Sequence, residues 1–243
     1  MPPSSRPKLP PATLVLFVRH GTTPTTGQVL PGRAKGLHLA EAGRDQAATV
    51  AGRLAEWTGA GLGVPTPPKG AGRGPGRSNK APKRPAVTAV YASPLERTKE
   101  TATPIARALG LPVTAERGLL ECDFGAWTGA ALKDLAKLPE WTTVQRYPSG
   151  FTFPDGESFV AMQRRMIETV ANLCSRHRGE TIVAVSHADP IKAVVADALG
   201  THLDLFQRIV ISPCSVTAIT YGGTGPTVLA VNSTGSLGEL RPS

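Results

Sequence analysis

Arg19, His20, Arg97 and His187 each follow closely on a short apolar stretch of the sequence. Their types suit phosphate chemistry. An arginine side chain presents a planar fork of donors that matches two phosphate oxygens at once. A neutral imidazole is a competent nucleophile near pH 7, and fixed cations stabilise the charge that develops around phosphorus. Together, these four residues would transfer a phosphoryl group through a histidine.

Taken alone, each of these residues is weak evidence for a catalytic site. A single histidine at the end of a strand is more often a hydrogen-bonded structural residue, and an arginine after a turn is usually solvated or paired. The joint placement of all four at strand ends is what favours catalysis. The leaving oxygen also needs a proton, so a carboxylic acid is expected nearby.

The sequence predicts elements that would bring these side chains together. Continuous apolar, β-branched runs predict strands buried on both faces, and further strands are expected in the C-terminal part. The predicted strands cover residues 13–18, 87–92, 112–115, 181–186, 216–221 and 227–231, and the predicted helices cover residues 40–57, 95–109, 157–177 and 190–199. This alternation predicts a three-layer α/β/α sandwich with a mostly parallel central sheet. Ligands bind such sheets at the carboxyl ends of the strands.

Residues 59–86 differ in composition from the rest of the chain. They contain six prolines, seven glycines and no acidic residue, with almost no large apolar side chain. We interpret them as a surface insertion within one domain at 13–235, because the preceding segment is too short to fold independently. The proline-rich residues 1–12 and residues 236–243 are expected to be tails.

The basic charge of the chain is concentrated in that insertion. Without its six bases the formal net charge would be +3 instead of +9; the bases are Lys69, Arg73, Arg77, Lys80, Lys83 and Arg84. They could give weak, salt-sensitive contact with nucleic acid. No aromatic residue lies between them to stack on bases, so specific recognition is not expected.

The cysteines and the N-terminal sequence predict a cytoplasmic protein. Cys122, Cys174 and Cys214 are far apart and odd in number, which fits reduced thiols rather than a disulfide framework. The apolar run before Arg19 is too short for a signal peptide or a membrane span.

A metal site is not expected from the histidines outside the strand-end group. His38, His177 and His202 lack partners at the spacing of metal ligands.

Four blocks of sequence, in order, resemble the histidine phosphatase superfamily, the phosphoglycerate-mutase-like proteins. Arg19-His20-Gly21 resembles the family's signature, and residues 93–102 resemble its second block. Residues 120–129 resemble the block that carries the proton donor, and residues 186–188 resemble the block of the second histidine. The three-residue signature is common by chance, but four blocks in order are specific.

The resemblance implies a nucleophile and an acid. His20 would be the phosphorylated nucleophile, and Glu121 would protonate the leaving oxygen and then activate water. Asp123 and Asp189 are alternative acids, and Glu121 is preferred because its whole block fits the family.

The resemblance also implies how phosphate is held. Arg19, Arg97 and His187 would bind the phosphate, with His187 stabilising the pentacoordinate charge. Thr23 would donate a further hydrogen bond. No metal and no other cofactor is implied.

The chain departs from the family's pattern at two places. Thr22 and Thr26 stand where the family often has Glu or Gln and, a few positions on, Asn. Ala188-Asp189 replaces a Gly-Gly pair that is common after the second histidine. We expect the pocket to be modified and its edge to be narrowed or recharged.

The resemblance favours a phosphatase over a mutase. The segment 127–153 is shorter than the insertion of the mutases, and residues 154–158 resemble the phosphatase pattern. Arg164 and Arg165 are expected to be solvated or paired on a helix rather than to bind a substrate carboxylate. We predict a metal-independent phosphomonoesterase that forms a phosphohistidine on a small phosphorylated metabolite. A mutase-like phosphotransferase and a catalytically silent phosphate-binding module are the alternatives, and a homodimer is common in the family.

Overall fold

The computed structural model describes residues 10–60, 86–238 and 240. Nearly all of the predicted N-terminal tail and of the insertion at 59–86 lies outside the described residues. The proposed single domain at 13–235 and its insertion therefore remain predictions.

A six-stranded sheet lies at the centre of the described residues. Its strands are β1 (Thr13–Arg19), β2 (Val87–Ala92), β3 (Val113–Ala115), β4 (Thr181–Ser186), β5 (Val216–Gly222) and β6 (Gly225–Ser233). They are arranged in the order β3-β2-β4-β1-β5-β6. Strands β3, β2, β4 and β1 run parallel to one another, whereas β5 pairs antiparallel with both β1 and β6. The predicted, mostly parallel sheet is confirmed.

Helices cover both faces of this sheet. The α-helices of the described part are α1 (Glu41–Thr58), α2 (Glu96–Leu109), α3 (Leu132–Leu135), α4 (Pro139–Arg146), α5 (Phe159–Arg176) and α6 (Ala188–Ala198). Short 3-10 helices lie at Arg117–Leu119, Gly125–Trp127, Pro148–Gly150 and Leu203–Arg208.

The alternation of side chains along the strands explains the three layers. Leu14 and Leu16 of β1 share one apolar cluster with α1 and α2, while Val15 and Phe17 share another with α5 and α6. Successive strand residues point to opposite faces of a sheet, so a strand without polar residues requires a helical layer on each side.

An aromatic cluster adds a third core at one end of the molecule. Phe124 and Trp127 are buried in it, and Phe153 makes edge-to-face contacts with both. Both therefore belong to the core, and Phe124 also lines the cavity described below.

Several predicted boundaries differ from the structure. The helix expected to begin at Glu157 begins at Phe159, and Ser158 caps it by accepting a hydrogen bond from the Ala161 amide at 3.0 Å. The cap was expected at the preceding turn, 154–156. A serine side chain satisfies free amides of the first helical turn, so the helix starts one residue after it.

Other elements are longer than predicted or were not predicted. Helix α6 begins at Ala188 rather than at Pro190, and β6 extends two residues beyond the predicted strand at each end. The sequence did not predict α3 and α4. No helix among the described residues is long and apolar enough to cross a membrane.

Candidate active site

The carboxyl ends of β1, β2 and β4 meet at one edge of the sheet. Arg19 pairs with Ser186 at the ends of β1 and β4, and the His20 amide donates to the Ser186 carbonyl at 3.0 Å. The Ser93 amide, directly after β2, donates to the Val185 carbonyl at 3.0 Å. The strands thus bring the four predicted side chains to one rim.

His20 is buried and its two ring nitrogens have different roles. Its Nδ1 lies 2.8 Å from the Gly21 carbonyl oxygen, which can only accept, so Nδ1 carries the proton and Nε2 has a free lone pair. Burial, followed by the positive charge of Arg97, lowers the pKa of His20 to about 3. The imidazole is therefore neutral at pH 7, the state that a nucleophile requires.

The loop after His20 is held by close packing between glycines. The Gly21 amide donates to Thr101 Oγ1 at 3.0 Å, which ties the loop to α2. A Cβ atom on Gly43 in α1 would lie 2.1 Å from the Thr22 carbonyl oxygen. The position of His20 thus depends on residue 43 of α1 having no side chain.

Arg97 and His187 lie together beside His20. Arg97 is fully buried, and its Nη2 donates to the Gly32 carbonyl at 2.7 Å and approaches His187 Nδ1 at 3.3 Å. The rings of His187 and His20 are 5.2 Å apart between centroids, edge to face.

His187 can change its tautomer and keep its hydrogen bond to Ser93. Its Nε2 lies 2.9 Å from the Ser93 hydroxyl, which can accept or donate. In this structure Nδ1 accepts from Arg97, so Nε2 donates to Ser93. With the Ser93 hydroxyl as the donor, Nδ1 could carry the proton toward an anion. Burial and then Arg97 hold the pKa of His187 well below its usual value.

The two arginines keep buried donors that no described residue satisfies. Arg19 is anchored by one bond, from Nη1 to the Ile211 carbonyl at 2.7 Å. Three guanidinium nitrogens are buried without a partner among the described residues: Nε of Arg19, and Nε and Nη1 of Arg97. Buried charged donors are costly when unpaired, so this edge is built for an anion.

Glu121 brings a carboxyl group to the same cavity. Its Oε1 accepts from the Cys122 amide at 3.0 Å, and its Oε2 lies 3.9 Å from His187 Nδ1. Burial, then the negative charge of Asp189, raises the pKa of Glu121 to about 7, while Arg97 opposes the shift. A carboxylic acid with that pKa keeps its proton in much of the protein near neutral pH.

Thr23 and Thr26 form a hydroxyl pair in the cavity wall. The Thr23 amide donates to Thr26 Oγ1 at 2.8 Å, and the two hydroxyl oxygens are 3.0 Å apart. Thr26, in the place where the family often has Asn, therefore shapes the loop around Thr23.

One cavity of about 420 Å³ is lined by Arg19, His20, Thr23, Thr26 and Glu121. Beyond Arg19 its wall is mixed: Asp189 Oδ1 accepts from Lys192 Nζ at 3.1 Å, and Lys192 also donates to the Gln207 side chain at 3.1 Å. Apolar and aromatic side chains complete this wall, namely Val29, Leu30, Leu132, Trp141, Ile209, Val210 and Ile211. Asp189 thus adds a negative charge to the edge of the pocket, as the sequence predicted.

The alternative acids differ in position. Asp123 is half exposed and lies 3.2 Å from Arg33, outside the cavity. Asp189 lines the cavity but is paired with Lys192. Glu121 is the most buried of the three carboxyl groups.

Sequence reasoning did not find the groups behind Glu121. Arg33, Glu157 and Arg165 form a network of ion pairs there. The predicted pairing of Arg165, on a helix, is confirmed. Arg33 lies in a loop without periodicity, and no signal in the sequence pointed to it.

The remaining histidines are paired outside the cavity. His38 contacts Glu100, His177 lies 2.9 Å from the Tyr91 hydroxyl, and His202 is near Asp204. Within residues 10–60 and 86–238, no group of three or more His, Cys, Asp or Glu is arranged to hold a metal ion.

Comparisons with known proteins relate the chain to one family. The profile of the histidine phosphatase superfamily (branch 1) matches residues 78–234. A bifunctional protein of Mycobacterium tuberculosis is 30% identical over 227 residues, which are 93% of this chain and 55% of that protein. Phosphoserine phosphatase 1 of Hydrogenobacter thermophilus is 32% identical over 156 residues, 62% of this chain and 72% of its own.

A solved structure supports the fold alone, because its sequence is only 21% identical. It is a mycobacterial glucosyl-3-phosphoglycerate phosphatase, with a TM-score of 0.73 over 92% of this chain and 100% of that one. The chain spans about half the length of the bifunctional relative that it matches.

Proposed function

Since the chain belongs to the histidine phosphatase superfamily (branch 1), we propose that it is a phosphomonoesterase that acts through a phosphohistidine on His20. The observation that carries this proposal is the free lone pair of His20 Nε2 beside two buried arginines with unsatisfied donors. Glu121, with its pKa raised to about 7 by burial and by Asp189, shares the cavity as the acid.

The reaction has two steps. In the first, His20 Nε2 attacks phosphorus, the bond to the ester oxygen breaks, and Glu121 gives its proton to the leaving alcohol. In the second, water attacks the phosphohistidine and gives a proton to the Glu121 carboxylate, which releases phosphate and restores His20. Arg19, Arg97, His187 and the Thr23 hydroxyl bind the equatorial oxygens, where the charge develops.

The substrate class that we propose is a small phosphorylated metabolite. A cavity of about 420 Å³ accommodates a phosphate and a leaving group of modest size. Similar proteins are named for phosphoserine and for glucosyl-3-phosphoglycerate, both small phosphomonoesters. A mutase would return the phosphate to another hydroxyl instead of to water. The segment 127–153, which is shorter than the insertion of the mutases, favours the phosphatase.

The experiment measures phosphate release from a panel of phosphomonoesters, with and without a chelator, and traps the phosphoenzyme. We expect turnover that a chelator does not reduce and an acid-labile, base-stable phosphoenzyme. Both should be absent in His20→Ala and present in the control His38→Ala, because His38 is an exposed histidine outside the cavity. Undiminished turnover in His20→Ala would refute the proposed nucleophile, and transfer to an added alcohol without phosphate release would favour the mutase.

Two further predictions accompany the proposal. They are a cytoplasmic location and one domain at 13–235.

A further inference from the structure

A buried carboxylate that takes no part in the proposed chemistry lies directly behind the Glu121 loop. The Glu157 side chain is 15% exposed, and each of its oxygens is used. Its Oε2 accepts from Arg33 Nη2 and Arg165 Nη2, both at 2.9 Å, and its Oε1 accepts from Arg165 Nε at 2.9 Å. The Asp123 amide also approaches Oε2 at 3.3 Å.

Both arginines of this cluster extend to the backbone that carries Glu121. Arg33 Nε donates to the Glu121 carbonyl at 2.9 Å, and Arg165 Nη2 approaches the same oxygen at 3.4 Å. Arg165 Nη1 donates to the Leu120 carbonyl at 2.9 Å and to the Gly118 carbonyl at 2.6 Å. The peptide groups on both sides of the Glu121 Cα are therefore held by guanidinium donors.

Glu157 is what allows two arginines to converge there. Two guanidinium groups around one carbonyl repel each other, and a carboxylate between them compensates that charge with charge-assisted bonds. Glu157 itself is fixed by its backbone, because its amide donates to the Asp123 carbonyl at 2.8 Å. The turn before it packs against Gly125, where a Cβ would lie 2.0 Å from the Pro154 carbonyl oxygen.

The same cluster is connected to the phosphate-binding side of the cavity. Arg33 follows Gly32, whose carbonyl accepts from Arg97 Nη2 at 2.7 Å. Holding Arg33 therefore also fixes an acceptor that orients Arg97.

We propose that Glu157 is a positioning residue for proton donation, which holds Glu121 against the leaving oxygen through Arg33 and Arg165. The inference rests on the proposed function, in which Glu121 is the acid. Glu157 touches no reacting atom, and its main effect passes through the carbonyl groups of the Glu121 loop, because its link to Arg97 runs only through the Gly32–Arg33 backbone. Displacing that loop would impair proton transfer and leave the attack by His20 largely intact.

The test compares leaving groups, because only poor ones require an acid. An alkyl phosphate expels an alkoxide that must be protonated, whereas 2,4-dinitrophenyl phosphate expels a stable anion. In Glu157→Gln we expect kcat/KM for alkyl phosphates to fall about 100-fold, at the lower end of the range for losing an acid. For the dinitrophenyl ester it should change by only a few-fold. Glu157→Asp, which keeps the charge, should recover part of the loss.

Neighbouring arginines of α5 supply a matched pair of variants. Arg165→Gln should show the same selective loss as Glu157→Gln. Arg164→Gln should behave like the wild type, because Arg164 is 79% exposed and pairs with Glu168 on the same helix. Melting temperatures of all variants identify any that fail to fold.

The outcomes separate the two proposals. Glu121→Gln should show the selective loss if the proposed function holds, and its absence there would refute the acid itself. If Glu121→Gln shows selective loss but folded Glu157→Gln and Arg165→Gln do not, the positioning role is refuted alone. Equal losses with both kinds of ester in folded Glu157→Gln would also refute it, since they would indicate a general structural role.

Discussion

Glu121 and Asp189 place two carboxyl groups in one cavity, where the negative charge of Asp189 acts on the pKa of Glu121. Asp189 is the second cause, after burial, of the raised pKa of Glu121, and Arg97 and Arg19 oppose it. Asp189 stands where the family often has glycine, so this chain has a negative charge that the pattern omits. A negative charge near a carboxyl group disfavours its ionised form, and here that group is Glu121.

Asp189→Asn tests this coupling through the pH dependence of kcat/KM. The proposed first step needs protonated Glu121, so kcat/KM of the wild type should fall as the pH rises through about 7. Removing the negative charge of Asp189 makes ionisation of Glu121 easier. We therefore expect the descending limb to move to lower pH and the activity at pH 7 to decrease.

The ascending limb should lie well to the acid side, because burial and Arg97 lower the pKa of His20 to about 3. Asp134→Asn, which removes an exposed carboxylate paired with Lys137, is the control and should leave the profile unchanged. A descending limb at the same pH in Asp189→Asn and wild type would contradict the coupling.

At the residue scale, the sequence predicted the site residues that follow strands. It did not predict the residues that hold them in place. His20 and His187 follow buried strands directly, so their meeting follows from parallel strand order. Arg33 lies in a loop 124 residues before Glu157, and both meet Arg165 of α5. No periodicity specifies such contacts, because they depend on how the loops pack.

At the scale of elements, α1 supports the nucleophile loop by close backbone packing. The Ala40 amide, just before α1, donates to the Thr22 carbonyl at 2.9 Å, and Gly43 faces the same oxygen. Only a residue without a side chain allows the helix to approach this closely. The sequence predicted the helix but gave no reason for its glycine.

Gly43→Ala should therefore weaken both stability and activity. The new Cβ would lie 2.1 Å from the Thr22 carbonyl oxygen, a backbone atom, so the loop or the helix must shift. We expect a loss of about 1–3 kcal/mol in the free energy of unfolding, typical of overpacking. A fall in kcat/KM should accompany it, because His20 is two residues from Thr22. Denaturant unfolding and steady-state kinetics measure the two effects.

Gly52→Ala on the same helix is the matched control. A Cβ on Gly52 would meet nothing within 4 Å, so the change should stabilise the protein by about 0.5–1 kcal/mol through helix propensity. Its activity should be unchanged. Equal effects of the two substitutions would show that the close approach to Thr22 has no energetic consequence.

The elements that the sequence predicted are those with a strong apolar pattern. Strand β4 is buried throughout and β1 is buried up to its last residue, Arg19, and their apolar runs have no polar interruption. Helices α3 and α4 were missed because they are short, only four and eight residues, and each buries a single side chain, Leu135 and Val144. Such helices are determined by the aromatic core that they cover rather than by their own sequence.

At the scale of the whole molecule, the basic segment joins the fold far from the cavity. Residues 60 and 86 flank the undescribed part, between the end of α1 and the start of β2. Val87 pairs with Thr181, the first residue of β4, at the edge opposite to Ser93 and His187. The attachment points therefore lie across the sheet from the proposed chemistry.

Replacing all six basic residues of this segment by glutamine should thus weaken polyanion binding without changing catalysis. The variant keeps the chain length and lowers the formal net charge from +9 to +3. Contact with a polyanion depends on the number of cations that displace counterions, so the variant should elute from a heparin column at lower salt. Its kcat/KM for a small phosphomonoester should match the wild type.

The control for a small loss of charge is the double variant Lys137→Gln and Arg164→Gln, which removes two exposed bases of the described part. Unchanged retention would eliminate the segment as a polyanion contact, and a reduced kcat/KM would mean that its charge acts on the cavity across the sheet.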